Sequence, residues 1–262
     1  MDLQLEGNTA LVTASSSGLG KASARVLAQE GANVVVNGRD ERRLDAAVAE
    51  LRPEATGEVI GVAGDVTDPD AVERLVDQTV EAFGGLDHLI TSAGGPPATA
   101  VLDTDDEDWY RAYDMLVMSV VRLVREAAPS LRTGGGTIVT ITSRSVKEAI
   151  ENLVLSNAVR MSVIGLEKTL SRELAPEVRA NAVLPGTHET DRVRELIEDD
   201  VERGEHESYE AGLAARRAEI PLERIGDPIE LGRTVAFLCS PASSYVNGAA
   251  VPVDGGQSAS NL

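Results

Sequence analysis

Short apolar runs alternate along this chain with longer segments in which apolar residues recur every three or four positions. Within the runs, successive residues are apolar rather than every second one, which is typical of strands buried on both faces of a parallel sheet. The runs predict seven strands, at residues 9–13, 33–37, 59–63, 86–91, 137–142, 179–184 and 249–253.

Helical periodicity fills the intervals between these strands. In residues 70–83, an apolar face predicts an amphipathic helix; its members are Val72, Leu75, Val76 and Val80. Further helices are predicted at about 107–131, 153–174 and 228–238. Repeated alternation of strands and helices implies right-handed crossovers. We therefore expect residues 1–262 to form a single α/β domain, a Rossmann-type doubly wound parallel sheet.

One charged segment departs from this alternation. Residues 191–219 contain few large apolar side chains, so they have little to contribute to a core. Exposed segments of this kind often cover an active site. We expect residues 191–219 to form a mobile lid or substrate loop.

Composition narrows the class of protein. No run approaches the ~20 apolar residues that span a bilayer. The N-terminal residues lack the basic and apolar regions of a secretory signal, so we expect a cytoplasmic protein. The single cysteine, Cys239, excludes an internal disulfide and a cysteine-based zinc site, and no other metal site is predicted. We expect Cys239 to be a small core residue.

The chain is strongly acidic, with a formal net charge of −19. The acidic residues are spread along the sequence, and its only lysines are Lys21, Lys147 and Lys168. Such a surface repels nucleic acid and anionic membranes, so the expected partner is a small-molecule substrate. Many carboxylates and few lysines also suit hydration in concentrated salt. We therefore expect a halophilic source, with an ordinary acidic protein from a GC-rich genome as the alternative.

The most informative local sequence runs from Thr13 to Gly20, between the first predicted strand and a helical segment. A strand, a turn of small residues and a helix start direct backbone N–H groups and the positive end of the helix dipole at one point, which suits a pyrophosphate. Gly18 and Gly20 permit the close approach that a Cβ atom would block. Ala14 occupies the usual place of the first glycine, so a plain strand–helix turn is the alternative.

Further motifs follow the predicted strands in a fixed order. They are Gly64-Asp65-Val66, Thr91-Ser92-Ala93-Gly94-Gly95, Ile141-Thr142-Ser143, Pro185-Gly186 and Val253-Asp254-Gly255-Gly256. Over residues 4–258 this set resembles the short-chain dehydrogenase/reductase family. Residues 152–157 resemble a divergent branch of that family, described as similar to 3-oxoacyl-[acyl-carrier-protein] reductase.

The resemblance implies a domain that binds NAD or NADP. By position in the family pattern, Asp65 and Val66 flank the adenine, and Ala93 and Gly94 pack near a ribose. The residues expected around the pyrophosphate are Thr13, Ser15, Ser17, Gly18, Leu19 and Gly20, and those expected at the nicotinamide are Pro185, Gly186 and Thr190. The resemblance also implies a homotetramer or a homodimer, built through the helices at 107–131 and 153–174.

The end of the second predicted strand favours NADP over NAD. NAD-selective sites place an acid there that accepts hydrogen bonds from the ribose hydroxyl groups, whereas this chain has Asn37-Gly38-Arg39. Arg39 could bind a 2′-phosphate through two N–H groups, with help from Asn37. Two observations keep NAD open: Arg39 begins a charged segment and could simply be solvated, and Ser17 stands where many NADP-selective relatives have a basic residue.

The expected catalytic residues depart from the family pattern. Ser143 matches the family serine that hydrogen-bonds the reacting carbonyl or hydroxyl group. The family tyrosine falls at Ser156, the lysine at Arg160 and the asparagine at Leu116. In relatives a tyrosine with a pKa lowered by the lysine donates the proton, whereas serine ionises too reluctantly and arginine stays charged. We also expect Leu116 to remove the helix kink that the asparagine provides.

Three explanations of this site remain open. In the favoured one, the protein interconverts a ketone and a secondary alcohol: Ser143 polarises the carbonyl group, and Arg160 holds the ribose and counters negative charge. The second is a dinucleotide-binding sensor or partner protein without turnover, and the third is a non-redox lyase or isomerase. Catalysis is favoured because Ser143 and a cation at position 160 are both kept.

Another group must then supply the proton, or a water molecule must. The foremost candidate is Lys147, and the others are Tyr113, Glu148, His188 and Tyr209. Each has a structural alternative, as a solvated loop residue, a core residue or part of the lid. Arg144 and Lys147 beside the expected site favour an anionic substrate, such as a keto acid, over a sugar derivative or an acyl ketone.

Overall fold

The computed structural model describes residues 2–260. Its strands are β1 (Thr9–Val12), β2 (Asn33–Gly38), β3 (Val59–Ala63), β4 (His88–Thr91), β5 (Thr137–Ile141), β6 (Arg179–Pro185) and β7 (Ala250–Val253). They form one parallel sheet in the order β3-β2-β1-β4-β5-β6-β7. The seven predicted strands and the doubly wound parallel sheet are confirmed, with strand ends that differ from the prediction by at most two residues.

Helices cover both faces of the sheet. They are α1 (Gly18–Gln29), α2 (Glu41–Leu51), α3 (Pro69–Phe83), α4 (Asp106–Tyr113), α5 (Ser119–Gly134), α6 (Val154–Glu173), α7 (Asp191–Glu202), α8 (Tyr209–Ala218) and α9 (Pro228–Cys239). The helix predicted at 107–131 is divided, because a π-helical turn over Asp114–Met118 joins α4 to α5. Within residues 2–260, no helix combines the length and the apolar character needed to cross a membrane.

Apolar side chains form one layer on each face of the sheet. On one face, Val12 and Ile90 pack with residues of α1 and α9; on the other, Leu11 and Leu89 pack with residues of α3 and α5. Successive strand residues alternate between the layers, which is why each strand is apolar at nearly every position. Cys239 is 2% exposed in the first layer, which confirms its prediction as a core residue.

The strand order reverses at β1, whose neighbours are β2 and β4. The chain leaves β1 toward one face and β4 toward the other, which opens a crevice at the carboxyl edge where sheets of this type bind ligands. The Thr13 hydroxyl group joins the two sides of this crevice. It donates to the Ser92 carbonyl at 2.8 Å and accepts from the Ser92 N–H at 2.8 Å.

The segment 191–219 contains two helices, α7 and α8, and the side chains of Thr190 and Ser208 cap them. Ile197 on α7 is buried, and its Cγ2 would lie 2.8 Å from a Cβ atom added to Gly212 on α8. The two helices therefore pack on each other and have local order, while most of their other side chains are exposed. That this segment moves as a lid stays a prediction.

Candidate active site

The turn after β1 is shaped from within by two buried polar side chains. The Ser15 hydroxyl donates to the Val12 carbonyl at 2.5 Å and accepts from the Asn37 N–H at 3.0 Å. The Asn37 amide accepts from the Ala14 N–H and donates to two backbone carbonyls at the end of β3. Because the Asn37 side chain is fully engaged and 1% exposed, the expected help from Asn37 in binding a 2′-phosphate is corrected.

Two residues of this turn have left-handed backbone, Ala14 with φ of 46° and Gly18 with φ of 56°. A Cβ atom at Gly20 would lie 2.6 Å from the Ala14 carbonyl oxygen, so the turn folds tightly on the start of α1. A Cβ atom at Gly18 would lie 3.8 Å from Thr190 Cγ2. The structure thus brings the residue predicted at the phosphates beside one predicted at the nicotinamide.

The first turn of α1 has the features of an anion site. At α2, α3, α4, α7, α8 and α9, the N-cap side chain accepts a hydrogen bond from the helix backbone. At α1 the N-cap residue Ser17 makes no such bond, and the first turn carries no acidic side chain. The N–H groups and the positive dipole therefore reach the crevice without a neutralising partner, and this arrangement fits a phosphate group.

A second charged position lies at the carboxyl end of β2. The Arg39 side chain is 80% exposed, and it lies 3.6 Å from Asp65. Burial alone would raise the pKa of Asp65, but hydrogen bonds from the Thr67 N–H and hydroxyl and the charge of Arg39 together lower it. The exposed side of the Arg39 guanidinium is open to an anion. Val66, next to Asp65, is buried in the core.

The other residues predicted at the nucleotide lie along the same edge. Leu19 packs against the core layer below α1, and Ala93 packs against the cluster formed by α6 and the π turn. Pro185 ends β6. A Cβ atom at Gly186 would lie 2.6 Å from the Cβ atom of Asp254, so glycine permits a close approach of two chain segments here.

A polar cluster forms where the end of β5 meets the first turns of α6. Ser143 Oγ accepts from the Ser145 N–H at 3.1 Å. The Ser145 and Ser156 hydroxyl oxygens are 3.2 Å apart, and Arg160 Nε donates to Ser156 Oγ at 3.2 Å. Arg160 Nη2 also approaches the Gly94 carbonyl at 3.5 Å. Three of the four predicted catalytic residues, Ser143, Ser156 and Arg160, are thus brought together.

Sequence reasoning does not identify Ser145. This residue is 4% exposed, and a 3₁₀ turn over Arg144–Val146, capped by Ser143, directs its hydroxyl group toward α6. In the sequence, the only indication of a role for Ser145 is its position two residues after Ser143. The 3₁₀ turn is what brings its side chain close to Ser156.

Arg160 is a buried cation. Burial lowers the pKa of Arg160 to about 10, and no neighbouring carboxylate contributes to this shift among the described residues. At neutral pH the guanidinium therefore remains charged, as expected from the sequence. A buried charge without a counter-ion favours a nearby anion or a developing negative charge.

The candidate proton donors lie apart from this cluster. In residues 2–260, none of the five shares a hydrogen bond with Ser143, Ser156 or Arg160. Lys147 is half-buried in the turn after Arg144–Val146. Glu148 accepts from Arg144 at 2.7 Å and from the Ala259 N–H at 2.8 Å.

The remaining three candidates occupy different surroundings. Tyr113 is 46% exposed on α4, which corrects its alternative interpretation as a core residue. His188 is 3% exposed beside Gly226, and burial lowers the pKa of its ring, which lies 3.2 Å from the Gly186 carbonyl oxygen. Tyr209 lines an open groove of about 530 Å³ between α7, α8 and residues 223–225.

Leu116 does not remove the irregularity of its helix, contrary to expectation. The Ser119 N–H bonds to the Asp114 carbonyl, five residues back, and the Ser119 hydroxyl donates to the Met115 carbonyl at 2.6 Å. The π turn depends on this hydrogen-bond spacing rather than on the side chain at 116. Leu116, Ser119, Thr91, Thr140 and Arg160 line a cavity of about 10 Å³, room for about one water molecule.

Known proteins are similar to this chain in sequence and in fold. A family profile described as "Enoyl-(Acyl carrier protein) reductase" matches residues 13–258. Dehydrogenase/reductase SDR family member 4 of Bos taurus is 37% identical over 255 residues, which are 96% of this chain and 88% of the relative. Tropinone reductase-like 3 of Erythroxylum coca is 32% identical over 254 residues, which are 97% of this chain and 94% of the relative.

Solved structures of related proteins have the same fold. L-Sorbose reductase from Gluconobacter frateurii, complexed with NADPH and L-sorbose, has a TM-score of 0.93 and 32% identity, and the match covers 98% of both chains. A variant of actinorhodin polyketide ketoreductase with NADPH has a TM-score of 0.90 and 32% identity, covering 95% of this chain and 97% of that one. The profile match begins at the phosphate turn and ends beyond β7, and relatives of similar length align throughout. The chain therefore belongs to the short-chain dehydrogenase/reductase family.

Proposed function

We propose that the protein is an NADP-preferring oxidoreductase that interconverts a ketone and a secondary alcohol through a non-standard proton relay. The observation that carries this proposal is the hydrogen-bonded cluster of Ser145, Ser156 and Arg160 beside the Gly94 carbonyl. A buried cation and neighbouring hydroxyl groups at one point suit a carbonyl oxygen that becomes an alkoxide. Related proteins named as dehydrogenases and reductases support the same reaction class.

The residues at the crevice fit a phosphorylated dinucleotide. The uncapped first turn of α1, with Gly18, would hold the pyrophosphate, and Arg39 would bind the 2′-phosphate. Arg160 would hold ribose hydroxyl groups near Gly94. Two structural relatives contain NADPH, and NAD is the alternative. When bound, NADPH supplies the hydride for the carbonyl carbon.

The residues of the cluster have different roles toward the carbonyl oxygen of the substrate. Ser143 and Ser156 donate hydrogen bonds that polarise the carbonyl group, and Arg160 counters the negative charge that develops on it. Ser156 alone cannot replace the family tyrosine, because a serine hydroxyl group does not lose its proton at neutral pH. Ser156 must therefore be resupplied with a proton by another group. Lys147 remains a candidate for that role, although it lies outside the hydrogen-bonded cluster.

The charges around the cluster give limited support to an anionic substrate. Arg144 is paired with Glu148 at 2.7 Å, which neutralises one of the two cations that favoured such a substrate. A neutral ketose therefore becomes a strong candidate, and L-sorbose, which a structural relative binds, is the first compound to test. Keto acids and acyl ketones follow it.

The experiment follows the absorbance of reduced nicotinamide with L-sorbose, keto acids and acyl ketones in molar KCl. We expect the wild-type protein to oxidise NADPH with at least one of them. Ser143→Ala and Arg160→Met should each lower kcat/KM by about 100-fold or more. Ser162→Ala is the matched control, because Ser162 is exposed on α6.

Other outcomes identify the alternatives. Tight NADPH binding without oxidation across the panel indicates a sensor or partner protein. Conversion of a substrate with no change in nicotinamide absorbance indicates a lyase or an isomerase. Equal affinity for NADH and NADPH, measured by calorimetric titration, contradicts the role given to Arg39.

We also propose that this protein, expected in the cytoplasm, assembles into a homodimer or homotetramer through α4, α5 and α6. Tyr110, Tyr113 and Met161 on these helices are 68%, 46% and 51% exposed, and such apolar surface favours burial against another chain. Sedimentation velocity should give a dimer or a tetramer in molar KCl. Tyr113→Ser should weaken the assembly, and a wild-type monomer at micromolar concentration contradicts the proposal.

A further inference from the structure

Glu167 is a buried acid that the proposed chemistry leaves unused. Its side chain is 3% exposed. It lies on the face of α6 that also carries Arg160 and Val163, because residues three, four and seven positions apart share one face of a helix. Helix α6 packs on the sheet against β6, and Glu167 reaches Thr140 on the neighbouring strand β5. Glutamate is almost never fully buried without a partner or a function.

The two carboxyl oxygens of Glu167 have different surroundings. Oε1 forms a short hydrogen bond with the Thr140 hydroxyl group, whose oxygen lies 2.7 Å from that of Thr91. Oε2 is buried and has no hydrogen-bond partner within residues 2–260. An ionised carboxylate would leave charge on that oxygen without compensation, at a far higher cost than the carbonyl oxygen of a neutral carboxyl group whose proton lies on Oε1, next to Thr140.

The local electrostatics favour the neutral form. Burial raises the pKa of Glu167 to about 8, against an opposing effect of the hydrogen bond from Thr140. Arg160 is the charged group that shares the adjacent cavity. At neutral pH the carboxyl group therefore carries a proton that it can release.

Charged groups on the surrounding elements are engaged elsewhere. In the π turn, Asp114 pairs with Arg122 at 2.7 Å. In the 3₁₀ turn, Arg144 pairs with Glu148. On β6, Arg179 donates to backbone carbonyls of residues 238, 240 and 246. Strand β5 carries no charged residue, and the other charged side chains of α4, α5 and α6 lie at the surface, at least partly exposed.

Groups with exchangeable protons connect Glu167 to the polar cluster. Thr91 and Thr140 line the water-sized cavity that also reaches Arg160. Arg160 donates through Nε to Ser156, which adjoins Ser145. No direct hydrogen bond joins the two threonine hydroxyl groups to Arg160 and Ser156. The cavity lies between them, and its size and polar lining suit a bridging water.

We propose that Glu167 is the proton store of this active site and exchanges its proton with the Arg160 cavity through the hydroxyl groups of Thr140 and Thr91. This inference rests on the proposed oxidoreductase function and names the group that supplies its proton. Glu167 touches neither substrate nor nucleotide, so it acts through other residues.

The proton passes from Glu167 to the product alkoxide during reduction and in the opposite direction during oxidation. During reduction, the carbonyl carbon gains a hydride, and the resulting alkoxide takes the hydroxyl proton of Ser156. Ser156 takes a proton from the cavity water, which the guanidinium of Arg160 holds beside it while keeping its own charge. The water is restored through Thr91 and Thr140, the O–H bond of Glu167 breaks, and a carboxylate remains. Solvent returns this proton after product release, and oxidation reverses each step.

The kinetic test compares pH profiles of kcat for NADPH oxidation with L-sorbose, or with the fastest ketone of the panel. In the wild type, kcat should fall as the pH rises above about 8, because the carboxylate then has no proton to give and the bound nucleotide raises its pKa above that of the free protein. Glu167→Gln has nearly the same shape but cannot release a proton, so it should lower kcat about tenfold at neutral pH and abolish this dependence. KM should stay within about twofold.

Two further variants separate proton storage from structural support. Thr140→Val interrupts the path but keeps Glu167, and it should lower kcat in the same way. Glu173→Gln removes an exposed carboxylate from the same helix, and it should keep the wild-type profile. An unchanged pH profile in Glu167→Gln, with or without a change in melting temperature, overturns the proposal.

A measurement that needs no turnover distinguishes this inference from the proposed function. Calorimetric titration with NADP⁺ at about pH 8, in buffers of different ionisation enthalpy, counts the protons taken up on binding. An anionic nucleotide beside Arg160 should raise the pKa of Glu167, so the wild type and Glu173→Gln should take up a fraction of a proton per site.

Glu167→Gln should take up none. Equal uptake in the wild type and Glu167→Gln overturns the proton store. If uptake is lost in Glu167→Gln but no ketone is reduced by the wild type, the oxidoreductase function fails while proton exchange between Glu167 and the site stands.

Discussion

The buried carboxyl group of Glu167 should make folding stability decrease as the pH rises. Its pKa is about 8 in the folded protein, against an ordinary value of 4.5 that applies to the unfolded chain. Between these two values the folded protein binds the proton more tightly than the unfolded chain does. The stabilisation by this proton is therefore fully present below about pH 4.5 and is lost as the pH rises to about 8.

The size of the effect follows from the same shift. A rise in pKa from 4.5 to about 8 corresponds to at most about 5 kcal/mol in the free energy of unfolding. Glutamine at position 167 is neutral at every pH, so this contribution should disappear. The free energy of unfolding of Glu167→Gln, relative to that of the wild type, should therefore increase by several kcal/mol as the pH rises from mildly acidic to mildly alkaline.

Urea unfolding followed by circular dichroism, in constant molar KCl from about pH 5 to about pH 9, measures this difference. Urea is preferred to guanidinium chloride, because its addition leaves the ionic strength unchanged. Glu173→Gln is the control, and its stability should follow the wild type at each pH. A constant difference between the wild type and Glu167→Gln across this range refutes the assignment of a protonated carboxyl group inside the fold.

Three other predictions concern the turn, the nucleotide and the charge. Ala14→Gly should stabilise the protein by about 1 kcal/mol, because Ala14 has φ of 46°, whereas Gly18→Ala should destabilise it; a lower melting temperature for Ala14→Gly contradicts this. Arg39→Ala should weaken NADPH binding about tenfold and leave NADH binding unchanged, with exposed Arg42→Ala as the control in calorimetry; equal losses for both nucleotides argue against a 2′-phosphate contact. Molar KCl should raise the melting temperature by screening a net charge of −19, and a flat salt response removes support for a halophilic source.

The polar cluster was largely predictable because its spacing is local. Ser156 and Arg160 are four residues apart on one helix, and that spacing alone places them on the same face. Ser143 follows a recognisable apolar strand, so its place at the carboxyl edge follows from the parallel sheet. Lys147, in contrast, is a candidate because it lies four residues after Ser143 and is one of three lysines, and the direction of the turn leaves it outside the hydrogen-bonded cluster.

The helix at Leu116 shows the opposite case. The replacement of asparagine by leucine predicts a regular helix if the side chain causes the irregularity. The π turn instead depends on backbone bonding and on the Ser119 hydroxyl group, which satisfies the Met115 carbonyl. A helix pattern shows which residues are apolar, but it does not show where the hydrogen-bond spacing changes by one residue.

By itself, the amino-acid sequence determined the order of strands and helices, the turn that suits a phosphate, and the residues at 143, 156 and 160. Strand and helix periodicities, glycine positions and short spacings involve only a few consecutive residues, so they can be recognised in the sequence without knowledge of the fold. Only the tertiary structure decided that the Asn37 amide is engaged inside the turn, that Ser145 joins Ser156, and that Glu167 meets Thr140, 27 positions away, inside the protein. These contacts depend on how α6 and the turns lie against the sheet, a packing that brings together segments whose local patterns contain no information about one another.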